Sequence, residues 1–169
     1  RRLDDWDTYF DFADNIILKR DPRNPSALQD LSLSLIMNKK FSRGLEYIDR
    51  AIDYSEQSIY KDLKFNILVS NFGDVARAEV YLNEEKPGLN LNQVAMWQYW
   101  VDYYKRDFKA LINPTIEVPH GMILSNGDYS NLVQLPSELF VAQAYWLMGE
   151  AQGARDQVTL YGKHWLDHH

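Results

Sequence analysis

The stretch RDPRNPSALQDLSLSLIMNKKFSRGLEYIDRAI, Arg20 to Ile52, carries two apolar stripes on either side of a short polar break. Ala27, Leu28, Leu31 and Leu35 form the first, and Leu45, Ile48 and Ile52 the second, each at the three-to-four-residue spacing of one helix face. Between them, NKKFSRG reads as a turn. Upstream, Asp21-Pro22 closes a preceding helix whose last periodic residues are Ile17 and Leu18. Asn24 then offers a side-chain oxygen as N-cap of the next helix, and Pro25 occupies its first turn, where a missing N–H costs nothing. The Asp-Pro-Arg-Asn-Pro run therefore stops one helix and starts another: it is a seam between helical hairpins.

The pattern recurs along the chain. KKFSRGLEYIDRAI around Phe41 is echoed 34 residues on by GDVARAEVYL around Val75, then by RDFKALI around Phe108 and by GEAQGARDQV around Ala151. Gly44, Ala78 and Ala154 fall at one repeat position early in the second helix of each unit, where paired helices must approach closely, and Ala51 and Ala142 match two further small positions. Asp74, Asp107 and Glu150 recur in the turns, placed to cap the helices that follow and to favour their positive ends. A helix-turn-helix repeating at about 34 residues has the tetratricopeptide period.

On these residues the chain resembles a tetratricopeptide repeat domain over roughly residues 5–112 and 136–161, most closely in NPSALQDLSLSLIMNKKFSRGLEYIDRAI. It departs from that pattern at Leu28, where an aromatic is usual, at Asp62 in the same place of the next unit, and around Trp97, which aligns in two registers. LPSELFVAQAYWLMGEAQGARDQ is further similar to the last repeats appended to bacterial signalling proteins, such as cyclases and winged-helix transcription regulators. The resemblance implies an all-α fold: a right-handed superhelix of about four stacked antiparallel helix pairs, the first incomplete, in a single domain spanning 1–169. First helices would line its concave face. The groove positions are then Leu33, Ile36 and Met37; Tyr60, Leu63, Ile67, Ser70 and Asn71; Met96, Trp100, Tyr103 and Tyr104; and Leu139, Gln143, Trp146 and Leu147. Clamps for a charged peptide terminus use Lys, Arg and Asn at such positions, and here Asn71 alone fits. Trp, Tyr and Met instead suit burial of an apolar protein segment or a neighbouring domain of the same chain.

After Ile112 the period fails. Asn113-Pro114 ends the helix, and residues 113–135 read as an irregular insertion before helicity resumes near Pro136. Thr115 to Val118 and Met122 to Leu124 would suit a short hairpin, but a surface loop is the preferred reading. His120 and Asp128 share this segment, and an enzyme using residues 114–135 is the reading they would support; no third ligand stands at metal-binding spacing.

Net charge is -6 without a dense Lys/Arg cluster, which argues against direct contact with nucleic acid. No window approaches a membrane-spanning length of apolar residues, so no membrane insertion is expected. Zero cysteines exclude disulfides, thiol zinc sites and cysteine nucleophiles. No phosphate loop or nucleophile elbow is present. The expectation is a non-catalytic cytoplasmic protein-interaction or regulatory module needing no cofactor or metal, although the absence of cysteine suits a periplasmic protein equally well. The alternative is a small-molecule sensing domain of a bacterial regulator. The chain begins at Arg1 inside a helical pattern, as a fragment of something longer would.

Overall fold

The computed structural model describes residues 6–13, 15, 18–71, 73–114, 116, 123–125 and 134–168, which are overwhelmingly helical. They gather into two compact units, Arg1–Phe72 and Gly73–His169.

The first unit contains α1 (Trp6–Phe12), a single turn α2 (Leu18–Arg20), α3 (Pro25–Met37), α4 (Phe41–Tyr54) and α5 (Ser58–Asn66), which continues as a wider π turn over Ile67–Asn71. The seam behaves as its sequence dictates. Asn24 Oδ1 accepts from the Ala27 N–H at 3.1 Å, with Pro25 in the first turn of α3. The turn before it is tied to α4, because Arg50 Nη2 donates to the Pro22 carbonyl at 3.2 Å and the Arg23 guanidinium lies 5.8 Å from the centre of the Tyr54 ring. Leu28, Leu31 and Leu35 of α3, with Leu45, Ile48 and Ala51 of α4, are buried, each Leu or Ile being worth about 1.5–3 kcal/mol of burial. The two helices meet most closely at Gly44. A Cβ built there would stand 2.8 Å from Ile36 Cγ1 and 3.2 Å from the Ser32 carbonyl oxygen. The Ser32 hydroxyl, fully buried, donates across this contact to the Gly44 carbonyl at 2.8 Å.

The second unit contains α6 (Val75–Glu85) with a trailing 3-10 turn (Lys86–Gly88), α7 (Leu91–Lys105), α8 (Phe108–Ile112), strands β1 (Ile123–Ser125) and β2 (Gln134–Pro136), α9 (Ser137–Leu147) and α10 (Ala151–His168). Side-chain caps start three of these helices. Asp74 Oδ1 accepts from Arg77 N–H and Asp107 Oδ1 from Ala110 N–H, both at 3.1 Å, while Asn90 and Gln93 form a reciprocal capping box. α6 and α7 are joined by stacking of Tyr81 on Trp97 and by the Lys105–Glu79 ion pair. α9 and α10 repeat the close approach of α3 and α4: a Cβ on Gly153 would meet the Tyr145 ring at 2.5 Å.

One turn recurs through the chain. Lys39, Gly73, Arg106 and Gly149 all have φ between 59° and 79°, the left-handed region, at intervals of 34, 33 and 43 residues. After Lys39, Arg106 and Gly149 the hydrogen bonding is the same: the next N–H reaches five residues back, Lys40 to Leu35, Asp107 to Asp102 and Glu150 to Tyr145, at 2.8–2.9 Å. The following helix then opens with Gly44 N–H to Lys40, Leu111 to Asp107 and Ala154 to Glu150, a bond also made by Ala78 to Asp74. A left-handed turn thus recurs at four places among the described residues.

The insertion is not wholly irregular. Ile123–Ser125 pairs antiparallel with Gln134–Pro136, in the register Ile123 to Pro136, Leu124 to Leu135 and Ser125 to Gln134. This corrects the preference for a loop, and the strand partner lies downstream rather than at Thr115–Val118, most of which is outside the described residues. Single-strand alternation says nothing about which segment supplies the complementary backbone, so the partner was not legible.

Two substitutions probe the helix contacts. Gly153→Ala forces a methyl into the Tyr145 ring and is expected to lower unfolding free energy by about 1–3 kcal/mol. Gly162→Ala, on the same helix with nothing within 4 Å, is expected to raise it by up to about 1 kcal/mol. Lys39→Gly relieves a left-handed backbone and should add about 0.5–1 kcal/mol. Urea titrations followed by circular dichroism read all three.

Candidate functional site

The second unit carries an open-mouthed cavity of about 240 Å³. One face of α7 forms a wall, since Ala95, Gln98, Tyr99 and Asp102 follow one another at helical spacing. α8 contributes Leu111 and Ile112, the chain just beyond it Ile116, the start of α9 Ser137, Glu138, Phe140 and Val141, and α10 Gln157. The lining divides by chemistry. Leu111, Ile112, Ile116, Phe140 and Val141 are apolar, whereas Gln98, Asp102, Ser137, Glu138 and Gln157 carry polar groups. Among the described residues it includes two carboxyl groups and no Lys, Arg or His.

Each polar group is positioned by a local cause. Asp102 stands one helical turn beyond Gln98, whose Nε2 donates to Asp102 Oδ1 at 2.9 Å. Burial pushes the Asp102 carboxyl above its usual range; the Gln98 hydrogen bond and the Lys105 charge oppose this, while Asp107 and Glu79 add to it. Glu138, only 2% exposed, sits in the first turn of α9 and accepts from the Ser137 hydroxyl at 3.2 Å. Burial, with Tyr103 beside it, raises the Tyr99 phenol far above its ordinary value, so it stays a neutral donor, and its O–H donates a hydrogen bond to Gln143 Oε1 at 3.1 Å. Its ring meets Phe140 edge-on with centroids 4.5 Å apart.

The expected groove residues are distributed differently from one continuous surface. Tyr60, Leu63, Ile67 and Met96 are buried, because the stripes they belong to also supply the cores of their own units. Leu33, Ile36, Trp100 and Tyr103 are half-buried. Ile36 packs over Gly44, while Trp100 and Tyr103 pack against the core built by Met96, Tyr99, Leu111 and Phe140. Trp100 Nε1 is buried without a hydrogen-bond acceptor among the described residues. Met37, Tyr104, Gln143, Trp146 and Leu147 are exposed, Met37 at 79% and Trp146 at 70%. The Asn71 side chain, His120 and Asp128 lie outside what the structure describes.

Sequence reading chose the aromatic face of α7, Met96, Trp100 and Tyr103, and passed over the adjoining face of Ala95, Gln98, Tyr99 and Asp102. The available signal was an acid and an amide one turn apart beside a small residue. Among the described residues no group of three or more His, Asp or Glu is placed to hold a metal, and no helix is long and apolar enough to cross a membrane. Comparison with family models, curated proteins and solved structures gives no match to this chain.

Asp102 permits a pH test. A carboxyl whose proton is held more tightly when folded than when unfolded contributes its full stability below the ordinary value of 3.8. It loses that contribution as pH rises through the raised one. Asp102→Asn should therefore melt at the same temperature as the parent in acid and at a higher temperature at neutral pH. Calorimetric scans from pH 4 to pH 7 would show the difference opening as pH rises.

Proposed function

We propose that this chain is a non-catalytic interaction module of tetratricopeptide-like helical hairpins, which docks an apolar protein segment or a neighbouring domain of its own chain. The repeated left-handed turn at Lys39, Gly73, Arg106 and Gly149 supports the repeat reading, since its intervals follow the tetratricopeptide period until the insertion lengthens the last one. The single observation that carries the docking reading is Trp146. It stands 70% exposed on the α9 face where groove residues were expected, next to Leu147 and one turn from Gln143. Trp146 and the adjoining exposed Leu147 offer large apolar side chains of the kind that concentrate binding energy at contact sites.

Docking would bury Trp146, a gain of about 1.5–3 kcal/mol before the costs of association. With a photo-cross-linking residue in place of Trp146, the expected result is a defined adduct to an apolar segment, weaker or absent when the same residue replaces exposed Gln152 on α10. Trp146→Ala should reduce affinity for the segment so identified by about ten- to a hundred-fold while leaving helical circular dichroism unchanged. Equal labelling from both positions, or unchanged affinity, removes the docking reading.

A second reading is favoured by a separate observation, the cavity of the second unit. A mostly apolar cleft with a few convergent polar groups is the form of a small-molecule site. In this reading the chain senses a ligand, and the occupied cavity alters how its hairpins engage the rest of the protein.

A further inference from the structure

The charge distribution along the chain narrows what can dock on Trp146. We infer that the docked protein segment is basic and amphipathic, with an apolar centre that covers Trp146 and Leu147 and flanking Lys or Arg that face the carboxylates of the second unit, Glu150 first among them. The inference rests on the docking reading and names its partner.

The negative charge is unevenly placed. Of the net -6, the unit Gly73–His169 holds -5, from twelve Asp and Glu against seven Lys and Arg. Between Lys109 and Arg155 the sequence contains no Lys or Arg, while Glu117, Asp128, Glu138 and Glu150 all fall there, and α9 with Trp146 lies inside that stretch. Glu150 is exposed, three residues beyond Leu147 in the turn that follows α9. Arg155, the first cation downstream, stands one turn into α10. A surface of this sign draws in cationic flanks and repels anionic ones, during approach as well as in the final contact. A second copy of the chain would bring the same negative unit to the same face, so like charge opposes self-association there.

Gln143 adds a polar contact to the apolar pair. It is exposed, one helical turn before Trp146 and Leu147, and its Oε1 accepts from the Tyr99 hydroxyl at 3.1 Å. The amide nitrogen is therefore the end that Gln143 offers a partner, and it can donate to a backbone carbonyl of any sequence. Trp146 and Leu147 then supply the affinity, and the flanking charge chooses the partner.

The test titrates the full 169-residue chain with its Trp indole nitrogens labelled for NMR; the Trp146 signal is the one that disappears in Trp146→Ala. Three short peptides share a Leu-Phe-Leu centre and carry Lys, Gln or Glu on both flanks. A fourth has the composition of the Lys peptide with its apolar residues dispersed. The expected result is a saturable shift of the Trp146 signal, with the Lys peptide binding about ten-fold tighter than the Gln peptide and the Glu peptide weakest. The Lys preference should shrink as salt rises from about 0.05 to 0.5 M, and the dispersed peptide should bind no better than the Gln peptide. Glu150→Lys should reduce the Lys preference at least about three-fold while leaving the Gln peptide's affinity unchanged. Trp146 and Glu150 are both exposed, so each variant is expected to fold, which circular dichroism checks.

Equal binding of the Lys and Gln peptides, or tightest binding of the Glu peptide, overturns the inference and leaves the docking reading standing. A dispersed peptide as tight as the Lys peptide reduces the preference to bulk attraction and overturns it as well. A Trp146 signal that moves with protein concentration alone places a second copy on this face, with the same consequence. An unchanged Lys preference in Glu150→Lys overturns the contact assigned to Glu150. If no peptide shifts the Trp146 signal at about millimolar concentration, the docking reading falls together with the inference.

Discussion

The hairpins depend on two helices approaching each other where one of them has no side chain. At Gly44 the space a Cβ would need is taken by Ile36 and the Ser32 backbone, and at Gly153 by the Tyr145 ring. The first contact lets a buried hydroxyl bridge the helices, Ser32 to the Gly44 carbonyl at 2.8 Å; that bond requires the short separation. Close-packed interiors answer a change of one methyl group, so these positions set helix separation within each pair. The faces that remain for solvent or ligand follow from that separation.

The turns add a second constraint. A left-handed residue followed by a five-back hydrogen bond, as at Lys39, Arg106 and Gly149, ends one helix and opens the next within very few residues. Glycine takes this conformation at positions 73 and 149, but Lys39 and Arg106 take it too, at a cost of about 1–2 kcal/mol each. They are held there by the two helices they join, each anchored by its own buried residues. Asp107 illustrates the coupling: its N–H closes the turn onto Asp102 while its side chain caps α8.

α7 shows how one helix serves two ends. Met96 builds the core of the second unit, with Trp100 and Tyr103 packed against it, while the adjoining stripe from Ala95 to Asp102 borders a cavity. Tyr99 belongs to both. Its ring packs on Phe140 and its hydroxyl reaches Gln143 on α9. The aromatic content that looked like a docking surface in sequence is largely consumed in holding α7 against α8 and α9, and the polar residues beside it are what reach open space.

Local chemistry was readable without coordinates wherever the cause lay within a few residues. Asn24 and Pro25 announce the start of α3, Asp74 and Asp107 cap the helices they precede, and the small residues Gly44, Ala78 and Ala154 mark buried positions. These effects depend on neighbours along the chain, so spacing alone exposes them. Whether Trp146 would be exposed and Met96 buried was not readable, because both sit on apolar stripes and only the third dimension says which stripe finds a partner. The pairing of Ile123–Ser125 with Gln134–Pro136 and the meeting of Asp102 with Glu138 around one cavity join residues far apart in the chain. Such encounters are fixed by how whole helices pack, and tertiary structure alone decided them.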